Sequence, residues 1–273
     1  MRENRRRDAC RRHPLKEVRT LQSIIDPFVK GVGGEIVSDL IGNKNLPSNA
    51  DYLFRAHNVI AELKSLQTGG FAESFHRKFA ELLGKWDRQG RLRVYGTVQL
   101  QSSKLPADCR QEMFALMGES IRKHVIADAN KQIKSTKSLL NMPDAKGLLW
   151  VAHDGNEDFQ PDVVWYLLLQ TLQKKKESGD PAYSSIHGLA YFNPRMPAKV
   201  PQASEPALFW FSGTRKPDRD KDIQACLSHL SNSWPKYVTW AQGIKVRDVE
   251  GKPEDVRLMG VESKVPKIAI KYK

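Results

Sequence analysis

The chain reads as an α/β protein in which helices flank a mixed β-sheet. Two observations carry that reading. Short apolar runs of strand length, around Val59, Ile60, Ala61 and Leu63, at Gly147 to Ala152 and at Ile186 to Phe192, recur along the chain. Between them stand longer stretches whose apolar residues repeat at helical spacing.

The elements follow in order. Residues 1–14 form a basic arm carrying Arg2, Arg5, Arg6, Arg7, Arg11 and Arg12, expected to hold no fixed structure. Leu15 to Ile25 forms a first helix, and Asp26-Pro27 supplies an N-cap and first position for a second. Gly31, Gly33 and Gly34 interrupt it before a helix resumes from Glu35 to Ile41. Asn43 to Asn49, rich in Asn, Pro and Ser, is a loop that delivers the chain to Asp51. DYLF then turns through Arg55, Ala56 and His57 into an antiparallel partner strand, Asn58 to Leu66.

Beyond Thr68-Gly69-Gly70, Phe71, Phe75, Phe79, Leu82, Leu83 and Trp86 fall at helical spacing, an aromatic stripe that reads as core. Arg91 to Leu100 alternates as a strand, and Asp108 to Leu140 is one long helical stretch. After the strand Gly147 to Ala152 come a helix, Pro161 to Lys175, and the strand Ile186 to Phe192. Asn193 to Pro206 holds Pro194, Pro197, Pro201 and Pro206 and is a loop or linker. A strand from Ala207 to Phe211, a helix from Asp220 to Leu230 and a strand near Val256 to Val261 complete the chain. This divides it into a core over 15–193 and a C-terminal part, 194–273, that either extends the core or forms a small subdomain.

The chemistry concentrates at the hairpin. Side chains alternate along a strand, so Glu62 and Lys64 share one face, roughly 6 to 7 Å apart along the strand. The turn folds Asp51 back against them. Two carboxylates in a half-buried site repel unless a cation or a proton intervenes. A hard divalent cation is held by one or two carboxylates plus substrate phosphate oxygens. An adjacent ammonium orients water and stabilises charge developing on phosphate.

On Asp51 and the Glu62-Leu63-Lys64 triplet, with Pro47 a few residues ahead, the sequence resembles the PD-(D/E)XK, or restriction-endonuclease-like, nuclease superfamily. The resemblance implies a restriction-endonuclease-like core and a metal-dependent phosphodiesterase. It implies that Asp51 and Glu62 ligate Mg²⁺, with Mn²⁺ able to substitute, that the Leu63 carbonyl adds a ligand, and that Lys64 positions the attacking water. It further implies an acidic residue on the preceding helix. Glu35 and Asp39 share a helical face by their i, i+4 spacing, and Glu35 is taken as the added metal ligand. The triplet E-x-K recurs at Glu250-Gly251-Lys252 and Glu262-Ser263-Lys264. Context selects the first, because Lys64 is followed by a helix, a strand, another helix and more strands. The competing explanation is an ordinary ion pair on a solvated edge, worth about 0 to 1 kcal/mol.

A second candidate region is Asn130 to Leu140, where Lys131, Lys134 and Lys137 recur every third residue and could contact phosphates. Gln132 and Lys134 resemble the auxiliary residues that such nucleases carry on a helix lining the substrate side. Trp210, Trp234, Tyr237 and Trp240 could stack bases, though aromatics this dense read as core.

Composition bounds the partners. A net charge of +13 over 273 residues favours an anionic polymer, through counterion release from a phosphate backbone. Nucleic acid is therefore the expected partner, charge alone not distinguishing DNA from RNA; the nuclease resemblance puts DNA ahead of RNA, and no membrane is expected. Double-strand cutting by such enzymes commonly takes two sites, so a homodimer or a partner protein in a larger complex is compatible. Cys10, Cys109 and Cys226 are widely spaced, and no Cys/His cluster of zinc spacing occurs, which fits a reducing cytoplasm. The apolar run Val163 to Leu169 is far below the roughly 18 residues that a membrane span needs. No G-x-S-x-G, G-x-x-x-x-G-K-[ST] or G-x-G-x-x-G motif is present. His153-Asp154, at the end of a strand, reads as a loop-facing pair. The rival from another class is a non-catalytic nucleic-acid-binding or assembly subunit, of a defence or mobile-element complex, that retains the fold.

Overall fold

The computed structural model describes residues 20–42, 49–66, 69–95, 105–154, 160–194, 198–199, 208–215, 220–242, 257–258 and 269–271. The expected basic arm and the two later E-x-K triplets lie outside these residues.

A six-stranded mixed sheet forms the centre, in the order Glu35–Ile36, Tyr52–Phe54, Val59–Ser65, Lys146–Ala152, Gly188–Phe192 and Trp210–Thr214. Strands β1 (Glu35–Ile36), β2 (Tyr52–Phe54) and β3 (Val59–Ser65) form an antiparallel meander. β5 (Lys146–Ala152) and β6 (Gly188–Phe192) run parallel to β3, and β8 (Trp210–Thr214) closes the far edge antiparallel to β6. The protein is thus α/β, and β8, from the segment after residue 194, extends the same sheet.

Alternation along the strands divides the core in two. Val59, Ala61, Leu63, Leu148, Trp150 and Phe192 meet α1 (Leu21–Gly31) and α7 (Lys221–Gln242) through Phe28, Ile25, Leu227 and Trp234. Ile60, Leu149, Val151 and Tyr191 face the opposite layer. That layer contains α3 (Gly69–Arg88), α4 (Ala107–Ile121), α5 (Asp128–Leu139) and α6 (Pro161–Leu172). Strands buried on both faces read as continuous apolar runs rather than as alternation, which is why β5 is apolar from Leu148 to Ala152.

The expected long helix after residue 108 is present, but α4 and α5 are joined by a π-helical stretch, Arg122–Ala127. In β5, Gly147 is required by close approach, since a Cβ there would lie 1.9 Å from the Ser185 carbonyl oxygen.

Several boundaries differ from expectation. The first two helices are one: Thr20 caps α1, its Oγ1 accepting from Ser23 N at 3.2 Å, and Pro27 lies inside the helix. Proline costs one intrahelical bond, yet the buried stripe Ile24, Ile25, Phe28 and Val29 carries the helix across it. Glu35 is in a strand rather than a helix, because Gly34 lies so close to Phe54 (2.6 Å from a built Cβ) that the chain runs alongside β2. Only the five residues of α2 (Val37–Ile41) are helical. β4 (Arg93–Tyr95) pairs with β10 (Ala269–Lys271) rather than joining the main sheet. β7 (Ala198–Lys199) pairs with β9 (Arg257–Leu258). β8 starts later than expected, because the Asn193 side chain takes the Phe209 amide at 2.6 Å before the ladder begins. α7 continues past Leu230 through Pro235, burying Trp234 and Val238.

Candidate active site

The hairpin places its three candidate side chains together. Tyr52 pairs with Ala61, and the next step outward sets Asp51 beside Glu62, with Asp51 N donating to Ala61 O at 3.2 Å. Residues directly opposite in an antiparallel pair share a face. Beyond β2 the β3 backbone amide of Leu63 is free of the ladder on that side, and it donates to Asp51 Oδ2 at 2.8 Å. A residue's N–H and C=O point to the same edge of a strand, so the Leu63 carbonyl faces the same edge as Asp51.

Glu62 and Lys64 project from β3 toward α5, with Leu149 and Val151 as their register partners on β5. Glu62 is only 2% exposed. Its Oε1 lies 2.7 Å from Lys64 Nζ, while its Oε2 is buried with no donor. Lys64 Nζ also donates to Gln132 Oε1 at 2.5 Å.

Burial, and then the neighbouring Asp51 carboxylate, push the Glu62 carboxyl up to about 8, against the pull of Lys64. Burial also raises Asp51, opposed first by the Leu63 amide and then by Lys64. The two carboxyl groups are close enough to share a proton. One ammonium therefore does not neutralise the pair, and the site holds either a proton or a further cation at neutral pH.

Glu35 stands opposite Leu53 and pairs with Arg55 at 2.7 Å. Asp39 pairs with Lys30 at 3.2 Å. The acidic residue that does reach the site electrostatically is Asp26. It accepts from Tyr52 Oη at 2.9 Å, and its charge helps to raise Asp51. Reading Asp26-Pro27 as a helix start concealed it, since inside α1 the same residue faces the sheet.

α5 supplies the fourth side of the site through Gln132. Lys131 and Lys134 are exposed. Lys137 is half-buried, and burial together with nearby Lys146 lowers its pKa. Steps of three residues drift round a 3.6-residue helix, so the three lysines do not form one stripe. His153 and Asp154 are buried instead of facing a loop, with His153 Nδ1 2.5 Å from Tyr191 Oη. Trp234 is buried against Phe28 and Trp210 packs on Trp150, whereas Trp240 is 81% exposed.

Among the described residues, no group of three or more His, Cys, Asp and Glu side chains could hold a metal ion. The pair Asp51 and Glu62 is the number of carboxylates that Mg²⁺ commonly takes from a protein, the rest of its shell being water and phosphate. The Glu62 Oε2 has no donor other than a proton shared with Asp51, and such an ion would satisfy it in the proton's place, a buried carboxylate oxygen without a partner being costly.

Comparison with protein-family models, with curated proteins and with solved structures finds no match for this chain. The described residues include no helix long and apolar enough to cross a membrane.

Proposed function

We propose that this protein is a metal-dependent nuclease with a restriction-endonuclease-like core that hydrolyses phosphodiester bonds, with DNA as its substrate. The observation that carries the reading is the buried carboxylate of Glu62, set beside Asp51, with its Oε1 in contact with Lys64 and its Oε2 lacking a donor. A solvated ion pair explains none of that burial.

Asp51 and Glu62 would hold Mg²⁺, with Mn²⁺ as substitute and the Leu63 carbonyl as a further ligand. When bound, the ion polarises the phosphate and lowers the pKa of water. The chain's own residues do the rest. The Leu63 amide fixes Asp51. Lys64, held at 20% side-chain exposure, presents its ammonium to an attacking water and to charge developing on phosphate. The apolar surroundings of Glu62 keep bulk water from screening these charges. Exposed Lys131 and Lys134 are available to substrate phosphates, in keeping with the net charge of +13. Glu35, engaged by Arg55, is not needed in the metal set. A homodimer would supply the second site for a double-strand cut.

The test is cleavage of supercoiled plasmid and of labelled single-stranded DNA and RNA by the purified protein, with Mg²⁺, Mn²⁺ or EDTA, beside Glu62→Ala/Lys64→Ala. Metal-dependent cutting lost in the double variant supports the reading. Cutting that survives in the variant, or nucleic-acid binding that ignores metal and never leads to cleavage, rejects it. The latter result would favour a binding subunit.

A further inference from the structure

We propose that Thr136 and Gln132, one turn apart on α5, are positioning residues that hold Asp51 and Lys64 in place. The proposal rests on the nuclease reading for its purpose, while its geometry is independent of it.

Thr136 is fully buried. A hydroxyl has one proton to give, and Thr136 gives it to the Gln132 carbonyl of its own helix at 2.9 Å. Its oxygen is thereby oriented, and it accepts the Ala50 amide at 2.8 Å from a segment 86 positions away in sequence. Ala50 immediately precedes Asp51 and is itself 2% exposed, so its N–H has no solvent to turn to.

Gln132 acts on both sides of the hairpin. Its Nε2 donates to the Asn49 carbonyl at 3.3 Å, and its Oε1 accepts from Lys64. One helical turn thus ties residues 49 and 50, just ahead of Asp51, to Lys64 at the far end of β3. Ala129 and Ile133, buried beside these two residues, fix the turn to the core. Gln132 is also a neutral acceptor for Lys64 that does not depend on Glu62. When a cation engages the Glu62 carboxylate, Lys64 keeps an anchor and its ammonium stays in the site.

Thr136→Val preserves shape and removes the hydrogen bond, whereas Thr136→Ser keeps the hydroxyl. The first readout is amide hydrogen exchange at Leu63 in the full chain, because that N–H is held by Asp51 Oδ2. The second is Mn²⁺ binding followed by electron paramagnetic resonance. Thr136→Val is expected to deprotect the Leu63 amide and to weaken Mn²⁺ binding by about tenfold, as loss of a residue supporting a metal ligand does. Thr136→Ser should retain both. Gln132→Leu, which leaves the Ala50 contact intact, should keep Leu63 protected and lower kcat without raising KM.

Unchanged Leu63 protection in Thr136→Val, with only a lower melting temperature, would overturn the proposal, as would a raised KM with unchanged kcat in Gln132→Leu. Should Thr136→Val not fold, the Gln132→Leu split decides. If wild-type protein binds no Mn²⁺, the nuclease reading fails, and Leu63 exchange still decides whether Thr136 places Asp51.

Discussion

Asp51 and Glu62 face each other across the β2–β3 hairpin, Lys64 pairs with Glu62, and Glu62 is buried with one oxygen lacking a donor. That unbalanced charge has measurable consequences.

The metal-free protein should lose stability as pH rises. Glu62 titrates near 8 when folded against 4.5 ordinarily, so between these values the folded state binds the extra proton. The stabilising contribution of this group is then greatest below about 4.5, falls through the interval by at most about 1.4 kcal/mol per pH unit for one proton, and levels off above 8. Thermal melts from pH 5 to 9 in EDTA would show this slope. Saturating Mg²⁺ should flatten or reverse it, since metal binds the ionised form.

Glu62→Gln keeps the side chain's shape and removes its charge. Its melting temperature at pH 8 in EDTA should exceed that of the wild type, while Mn²⁺ binding and cleavage vanish. A variant less stable than wild type under those conditions would show that the Glu62 charge supports the fold.

Lys64→Met separates the buried pair from an ordinary surface ion pair. At pH 9, about one unit above the Glu62 value, losing its cation should cost up to about 1.4 kcal/mol in denaturant melts, the carboxyl taking up a proton in its place. At pH 5, where Glu62 is protonated, the cost should nearly disappear. A pH-independent change below about 1 kcal/mol would return the pair to the solvated class.

Lys131→Ala and Lys134→Ala should each weaken DNA binding and reduce the slope of log K against log salt by about 1. Lys137→Ala should leave that slope unchanged, because Lys137 is half-buried beside Lys146 and His187. Fluorescence anisotropy across a salt series measures all three.

Gly147→Ala should destabilise the protein by about 3 kcal/mol or more, because the added methyl meets backbone and not a yielding side chain. A shift in denaturant midpoint below half that size would mean that the Ser185 turn moves freely.

The hairpin was legible because it is local. Strand alternation and an eleven-residue spacing between Asp51 and Glu62 fix which residues meet, and both the turn at Arg55–His57 and the face shared by Glu62 and Lys64 follow from them. Asp26 was not legible, since an Asp-Pro pair marks a helix start by local preference and only the apolar stripe of α1 against the sheet overrides it. Thr136 was hidden for another reason. A buried threonine on a helix looks like any small core residue until the segment 86 positions earlier docks against it. Glu35 failed as a helical residue because the close approach of Gly34 to Phe54, a contact between distant parts of the chain, draws it into a strand.

The π-helical stretch Arg122–Ala127 gives the helix from Ala107 to Leu139 two separate working directions. Each residue added to a helical turn rotates everything after it by about 100°. Met113, Met117 and Ile121 face the hydrophobic layer before the wide turn, and Gln132 and Thr136 face the hairpin after it. Shortening the stretch by one residue would aim the second half of the shaft away from Asp51 while leaving every side chain of the site in the chain, so the candidate site would be complete in residues and misaligned in space.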